Sequence, residues 1–387
     1  MTPPPALSDT ISTSTSVAAA LDDALTVVAT EAGSQDRQLS DEVVEALRRT
    51  GINRMLLPVE LGGMDAPVLD IVTVGERIGA VDGSTAWCAI IGTGSNIFGG
   101  YLPVAGARHV FADPDQTSAT MLAPAGTLTP GADGVILSGR WPFASNCRHS
   151  RWIGLGATVA GADADAPFQV VFVETSALTI EDTWRSSGLQ ATGSDHVVAR
   201  DLIIDPDRSC TFGGPPWADG QLWRRPLLTV YLPLLVSAPL GIARGALDAI
   251  ADQTRVGRTA RRGDLRDDPL ALADLATADA HLRAARAGLR DAVGAADDQA
   301  ARGEPVSRPV QARVCLAAQV ACDVAVAVTS VAHQLGGGAA AYEGSGLLRA
   351  LDDVHAARQH LMVAPSHRSE LAKALVGLDV RYPPFVV

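Results

Sequence analysis

The spacing of apolar residues divides the chain into a helical part, a β-rich part and a second helical part. Ser40 can cap a helix that Gly51 ends, and further helical runs extend to about residue 115. Between about 117 and 210, short β-rich runs alternate with turn residues, which is typical of a small barrel or sandwich. From about 226 onward the helical spacing returns.

The C-terminal part predicts a four-helix bundle. Residues 232–250 supply the first helix, and a repeat of apolar residues every three or four positions from Leu270 to Val293 predicts one long second helix. Alanine-rich segments over 311–333 and 347–376 supply the other two. The predicted fold is therefore mainly α with a central β domain: a disordered N-terminus (1–17), an N-terminal helical domain (18–115), a middle β-barrel (116–215) and a C-terminal four-helix bundle (226–387).

Composition narrows the class of function. The 387 residues are 47% hydrophobic and carry a net charge of −12, which argues against nucleic acid as a partner and favours small molecules. Five scattered cysteines without a CxxC pair predict neither disulfides nor a metal site, as in a protein of the reducing cytoplasm. The N-terminus lacks a signal peptide pattern, and no uninterrupted apolar run of about 18 residues predicts a membrane span.

A glycine turn precedes a helix with a polar stripe. Gly336, Gly337 and Gly338 allow close backbone approach to a ligand, and their N–H groups near a helix start could hold a phosphate. On the predicted helix, three polar side chains fall on one face at i, i+4 and i+11: Arg349, Asp353 and His360. This stripe is either a solvated surface or one wall of a site.

A second motif lies in the β-rich part, where Gly139-Arg-Trp-Pro-Phe-Ala-Ser145 ends a predicted strand. Trp141 and Ser145 are four residues apart, so the ring can stack on a flat ligand while the hydroxyl bonds to its edge. That pairing suits an isoalloxazine ring. The alternative is a core tryptophan beside a solvated serine.

Taken together, the element order and motifs resemble the acyl-CoA dehydrogenase superfamily from about residue 40 to the C-terminus. The similarity includes Gly-Arg-Trp-x-Phe-x-Ser, the later Trp184-x-x-x-Gly-Leu-x-x-Thr192-Gly-Ser194, and Gly-Gly-Gly followed by Leu-x-Arg and Asp353. Several motifs in the same order are more specific than any one of them.

Within this superfamily the dehydrogenases carry a catalytic glutamate eight residues after the aspartate that Asp353 matches. Here that position is Leu361, and leucine cannot abstract a proton. The sequence Tyr-Glu-Gly-Ser does occur, but its Glu343 precedes Asp353 by ten residues. The dehydrogenase activity is therefore disfavoured.

The chain more closely resembles the two-component flavin-dependent monooxygenases of this fold. His360, seven residues after Asp353, matches their catalytic histidine, and Asp82-Gly-Ser-Thr-Ala-Trp87 is also similar to that branch. Two positions differ from it: Asn96 stands where the branch often has a second histidine, and Asp352 replaces the usual arginine. Because asparagine exchanges no proton near neutral pH, the substrate is expected to differ from a simple phenol.

The resemblance implies an enzyme that takes externally supplied reduced flavin, FMN or FAD, and O2. Through a C4a-hydroperoxide it would hydroxylate or N-oxygenate a small organic molecule such as a secondary metabolite. It further implies a separate flavin reductase and a homotetramer or homodimer in the cytoplasm. The alternatives are an FAD-dependent acyl-CoA or acyl-carrier dehydrogenase and a noncatalytic member of the fold.

The resemblance also assigns residues to roles. His360, Ser145 and Asn96 are the expected catalytic residues, with Ser145 also bonding the flavin. His360 would either take a proton from the substrate or donate one to the peroxide. The expected flavin-binding residues are those that bracket the ring (Trp141 and Phe143), those that bond the flavin or its phosphate (Thr192, Ser194 and Gly336 to Gly338), and Arg255, which would reach a neighbouring subunit's flavin phosphate.

Overall fold

The computed structural model describes residues 8–33, 36–131, 134–163, 166–257, 259–260 and 263–380. Five helices come first: α1 (Ser8–Glu31), α2 (Asp41–Arg49), α3 (Val68–Gly79), α4 (Gly83–Asn96) and α5 (Val104–Val110). Ser40 caps α2 as predicted, since its hydroxyl accepts a hydrogen bond from the Val43 N–H at 3.3 Å.

The predicted disorder over residues 1–17 is wrong from Ser8 onward, where α1 begins. Residues 1–7 lie outside the described residues. The helix is held by a buried apolar stripe with helical spacing that joins the core: Val17, Leu21, Ala24 and Val28. That burial extends the helix into a Ser/Thr-rich segment whose composition alone suggested a frayed end.

Helix α4 runs through the centre of the molecule. All fourteen of its residues are buried, and it packs on α3, on the later helix Leu228–Val256 and on the sheet. Its small residues allow this close approach, because a Cβ at Gly94 would already lie 3.1 Å from Leu234. Asp82 caps the helix by accepting a hydrogen bond from the Thr85 N–H at 2.8 Å.

Seven strands follow: β1 (Ser118–Gly131), β2 (Gly134–Ala144), β3 (Trp152–Val159), β4 (Gln169–Glu174), β5 (Thr179–Glu181), β6 (Asp195–Ile204) and β7 (Ser209–Thr211). They form one sheet in the order β5-β6-β2-β1-β3-β4-β7. β1 and β3 pair in parallel, while the other described pairs are antiparallel. The mixed sheet is the predicted central β domain, and it places the end of β2 beside α4.

The C-terminal part contains α6 (Leu228–Val256), α7 (Pro269–Ala301), α8 (Arg308–Leu335), α9 (Gly346–Arg358) and α10 (Arg368–Leu375). A two-stranded ribbon of β8 (Thr259–Ala260) and β9 (Gly263–Asp264) lies between α6 and α7. The prediction of one helix over 347–376 is wrong: the chain leaves α9 after Arg358 and starts α10 at Arg368. Salt bridges from Asp323 of α8 to both Arg358 and Arg368 stabilise the break.

Helices α6 and α8 are long and apolar enough to cross a membrane by length and composition alone. Most of the apolar window of α6 is buried inside the protein, as in the core helix of a bundle. The corresponding window of α8 is only half buried, so one face of α8 remains open.

Candidate active site

A chain of polar side chains connects α4 to the end of β2. The indole Nε1–H of Trp87 donates to Ser145 Oγ at 3.1 Å, and Ser145 Oγ shares a hydrogen bond with Ser194 Oγ at 2.7 Å. Ser194 is bonded in turn to Thr192 Oγ1 at 2.7 Å. Ser145 is half-buried, whereas Thr192, Ser194 and Trp87 are buried. The buried members therefore hold the Ser145 hydroxyl at the edge of the protein interior.

The backbone around Ser145 is strained. Phe143 and Asn146 both have positive φ, 64° and 66°, which is uncommon for residues other than glycine and tends to occur at functional sites. Phe143 is 60% exposed, with its ring in edge contact with Trp184 and His196. Asn146 is buried, and its Nδ2 has no hydrogen-bond partner among the described residues. The turn thus combines an exposed ring, a hydroxyl and an unsatisfied amide.

His360 lies next to Trp87, the residue that bonds to this turn. It follows α9 rather than lying on it, because its N–H bonds to Ala357 and begins a short 3₁₀ turn. Its ring packs edge-on against Trp87, with 5.7 Å between ring centroids. The predicted stripe of Arg349, Asp353 and His360 along one helix is therefore wrong in geometry, but the break in the helix brings His360 to Trp87, which in turn bonds to Ser145.

The contacts of His360 define its protonation state. Its Nδ1 accepts a hydrogen bond from the Met362 N–H at 3.3 Å, so Nδ1 carries no proton there. Burial lowers the pKa of His360 to about 4. At neutral pH the ring is neutral with its proton on Nε2, which makes Nε2–H a hydrogen-bond donor.

Trp141 does not lie where the sequence analysis expected. Its ring is fully buried in the sheet, its Nε1–H donates to Gly156 O at 2.7 Å, and it packs on Gly126 and Gly139. A ring without exposed surface cannot stack on a ligand, so the alternative of a core tryptophan is correct. Phe143 is the exposed ring beside Ser145, and the two rings do not form a bracket.

Asn96 is also buried away from the cluster. It follows Trp87 by nine residues on α4, which is about 14 Å along the helix axis. Its amide donates to Asn53 O at 2.8 Å and its carbonyl oxygen accepts from the Ser118 hydroxyl. These bonds tie α4 to neighbouring segments and none of them reaches Ser145 or His360, so the catalytic role of Asn96 stays a prediction.

The glycine turn and Arg255 lie apart from Ser145 within this chain. Gly336 ends α8 with helical φ, and a Cβ there would meet Leu347, whereas Gly337 has a φ of +61° and open space around it, as does Gly338. Arg255, near the end of α6, is exposed and paired with Asp252. Neither has a recorded contact with the cluster among the described residues, so a role in flavin binding would require a second subunit.

A cavity of about 760 Å³ lies at the start of α4, and no residue of the cluster lines it. The start of α4, the 184–191 loop, α9, Glu31, Gly33 and residues between 36 and 43 form its walls. Glu343 lines this cavity, whereas Leu361 is 63% exposed beside His360. The structure therefore places no glutamate of the Tyr-Glu-Gly-Ser sequence next to Ser145, which agrees with the sequence argument against a dehydrogenase.

No site role was predicted for Trp87, although the segment Asp82–Trp87 carries part of the family resemblance. A tryptophan in the middle of an apolar helix carries no signal of a polar contact. The structure shows that its indole links Ser145 to His360.

Comparison with known proteins identifies the family. Residues 234–365 match the model for acyl-CoA dehydrogenase, C-terminal domain. Indole-3-acetate monooxygenase from Pseudomonas putida is 31% identical over 334 residues, which cover 85% of each chain. Both results agree with the resemblance inferred from the sequence motifs.

Solved structures support the same assignment. The 3-HSA hydroxylase from Rhodococcus sp. RHA1 superposes with a TM-score of 0.88 at 25% identity, covering 95% of this chain and 98% of that one. XiaF from Streptomyces sp., in complex with FADH2 and glycerol, has the same fold, with a TM-score of 0.89 at 24% identity over 97% and 98% of the two chains. The chain belongs to the oxygenase subunits of two-component flavin-dependent monooxygenases, which use reduced flavin and O2 and have the acyl-CoA dehydrogenase fold.

Proposed function

We propose that this oxygenase hydroxylates the ring of a small aromatic substrate at the surface formed by Ser145, Trp87 and His360. The observation that carries the proposal is the pair of contacts of Trp87, which bonds to Ser145 and packs against His360. Indole-3-acetate monooxygenase and a 3-HSA hydroxylase are among the proteins it resembles, which supports an aromatic substrate.

The turn at Ser145 fits a flavin. The half-buried hydroxyl can bond to a ring edge, and the exposed Phe143 ring offers an apolar surface beside it. The buried amide of Asn146 supplies an unused donor in the same turn. When bound, reduced flavin supplies two electrons, with which one oxygen atom of O2 enters the substrate and the other leaves as water. Thr192 and Ser194 would support Ser145 from behind rather than contact the flavin.

His360 would act as a hydrogen-bond donor. Because Nδ1 is occupied by the Met362 N–H and the ring is neutral, Nε2–H is the group available to the substrate or to bound oxygen. A neutral imidazole that already accepts at Nδ1 has no free lone pair with which to take a proton. The structure thus favours donation over the alternative of proton abstraction by His360.

The proposed activity is tested by single-turnover mixing. The protein is mixed anaerobically with chemically reduced FMN or FAD and an aromatic substrate, indole-3-acetate and a series of phenols in turn, and then with ¹⁸O₂. We expect a product heavier by one ¹⁸O atom. If no substrate gains oxygen and an acyl thioester instead reduces bound FAD, the chain is a dehydrogenase and the proposal is wrong.

We also propose that the protein works in the cytoplasm as a homodimer or homotetramer, supplied by a separate flavin reductase. The partly open face of α8 supports self-association: Val320 and Ala327 are exposed, and Ala317, Val324 and Val331 beside them are only partly buried, which gives apolar residues at alternating spacings of three and four. This spacing forms a seam that a second helix can pack against. Assembly would also allow Arg255 and the glycine turn to reach a neighbouring subunit's flavin.

Placing a charge in the α8 seam should break the assembly. Ala327→Asp is expected to move the protein to a smaller species in sedimentation or light scattering, because a carboxylate would be buried without a partner. Ala276→Asp makes the same substitution at an exposed position on α7 and should leave the mass unchanged. Equal masses for both variants and the unsubstituted protein would place the subunit interface elsewhere.

A further inference from the structure

Asp353 contacts the loop that supports the Ser145 cluster. The carboxylate lies on α9, is 3% exposed, and its Oδ1 accepts a hydrogen bond from the Leu189 N–H at 2.5 Å. Leu189 has a φ of 52°, so its peptide is in a strained conformation that needs external support. This contact joins two segments 164 residues apart in sequence.

The other side of Leu189 leads to the cluster. Its carbonyl oxygen accepts hydrogen bonds from Thr192 Oγ1 at 2.8 Å and from the Trp184 indole at 3.0 Å. Thr192 is the first member of the hydroxyl chain that ends at Ser145 and Trp87. Every link on this path is a direct hydrogen bond.

The path returns to the helix on which it began. Trp87 packs against His360, and His360 follows Asp353 by seven residues, just beyond the end of α9. Asp353, Leu189, Thr192, Ser194, Ser145, Trp87 and His360 therefore form a closed circuit of contacts. One displaced member would shift both the hydroxyl and the imidazole.

The backbone is closely packed around Asp353. A Cβ at Gly188 would lie 2.0 Å from the Asp352 carbonyl oxygen, and one at Gly83 would lie 2.6 Å from Asp353 Oδ2. The loop and α4 are thus both pressed against α9 at this point. Small residues at the two contacts allow the carboxylate to reach the Leu189 N–H.

We infer that Asp353 is a positioning residue that sets the distance between the Ser145 hydroxyl and the His360 imidazole by holding the Leu189 peptide. The inference rests on the proposed function of those two groups. Asp353 does not touch the reacting atoms in this arrangement. It keeps the Nε2–H donor of His360 and the hydroxyl of Ser145 at a fixed distance from each other. This distance matters because small displacements reduce catalytic efficiency steeply.

The charge of Asp353 is a separate matter from its acceptor role. Burial raises the pKa of its carboxyl to about 7, and nearby Asp82 and Asp352 raise it further while the Leu189 N–H and Arg349 lower it. A protonated carboxyl still has a carbonyl oxygen to accept the Leu189 N–H. The positioning role therefore requires an acceptor rather than a negative charge, and an amide should replace it.

Three variants test the inference. Asp353→Ala removes the acceptor, Asp353→Asn retains it, and Asp352→Asn makes the same change of charge one residue away. The first measurement is hydrogen–deuterium exchange of the 186–195 peptide in flavin-free protein. The second is coupling, defined as product formed per reduced flavin oxidised, with kcat and KM measured separately.

For Asp353→Ala we expect exchange of the 186–195 peptide to accelerate and coupling to fall about tenfold, with kcat rather than KM affected. Asp353→Asn and Asp352→Asn should retain slow exchange and coupling. Unchanged exchange or coupling in Asp353→Ala overturns the inference, as does an Asn variant no better than the Ala variant. If Asp353→Ala does not fold, Thr192→Val breaks the same circuit and must lower coupling similarly; retained coupling there also overturns it.

The two proposals fail in different ways. If the unsubstituted protein oxygenates no aromatic substrate, the proposed function fails, while the exchange measurement still tests the contact. If the unsubstituted protein couples well and Asp353→Ala couples equally well, only the role of Asp353 is lost.

Discussion

Replacing His360 with alanine is expected to lower substrate oxygenation by about 100-fold or more while flavin binding is retained. The physical reason is the loss of the Nε2–H donor, and positioned proton donors and acceptors contribute about 10²–10⁴-fold in enzymes. Reduced flavin should still be oxidised by O2 in the variant, but without product. Single-turnover product yield and anaerobic flavin titration measure the two effects separately.

Two further variants identify what His360 contributes. His360→Gln keeps an N–H donor but cannot exchange a proton near neutral pH, so it should retain more oxygenation than the alanine variant. Equal loss in both would instead indicate proton transfer by His360. His355→Ala removes an exposed histidine from α9 and serves as the matched control, with expected full activity.

The pH dependence gives an independent check on the same residue. Because burial holds the pKa of His360 at about 4, below its ordinary value, the ring stays neutral as pH falls through 6.5 and takes a proton only near 4. The difference in oxygenation rate between the unsubstituted protein and His360→Ala should therefore be constant between about pH 6 and 8. A loss centred near 6.5 would contradict the neutral ring.

The second large effect is expected from Ser145→Ala. This change removes the acceptor of the buried Trp87 indole N–H and leaves it unsatisfied, at a cost of about 1–3 kcal/mol, while Ser194 loses one of its two hydroxyl partners and keeps Thr192. We expect a lower Tm and binding of reduced flavin weakened about tenfold, equivalent to about 1.4 kcal/mol. Thermal unfolding and anaerobic fluorescence titration provide the two measurements.

Ser237→Ala is the control for the loss of a buried serine. Its hydroxyl bonds only to Leu234 O among the recorded contacts, within α6, so removing it leaves no indole or hydroxyl unsatisfied. A small change in Tm and unchanged flavin affinity are expected. If Ser145→Ala binds flavin as tightly as Ser237→Ala, Ser145 is a structural residue and the flavin lies elsewhere.

The α, β, α order could be predicted because it depends on local spacing, and counting from Asp353 singled out His360, which packs against Trp87, over Glu343, which lines the cavity. The catalytic role of His360 stays a prediction. The role of Trp141 could not be predicted. Whether an aromatic ring at a strand end faces a ligand or the core depends on which strand lies across from it, and here Gly126 of β1 leaves space for the ring. Sequence alone does not contain that pairing.

The helix break after α9 was missed although the sequence carries one signal of it. Residues 359–367 contain no glycine, but they include Pro365, which cannot continue a regular helix. The position of the break, right after Arg358, depends on tertiary contacts that the sequence does not show. Asp323 of α8 binds arginines on both sides of it, and Arg358 also donates to Val363 O at 2.8 Å.

The position of α8 has a consequence for how the enzyme responds to dilution. Its inner face carries Asp323 and Gln319, which hold the turn of His360, while Val320 and Val324 next to them form part of the open seam. In the assembly that we propose, separation of the subunits would expose the seam and loosen the helix that fixes the imidazole. Specific activity should then decrease when the protein is diluted and recover after a lag when it is reconcentrated. Turnover would depend in this way on the number of associated subunits.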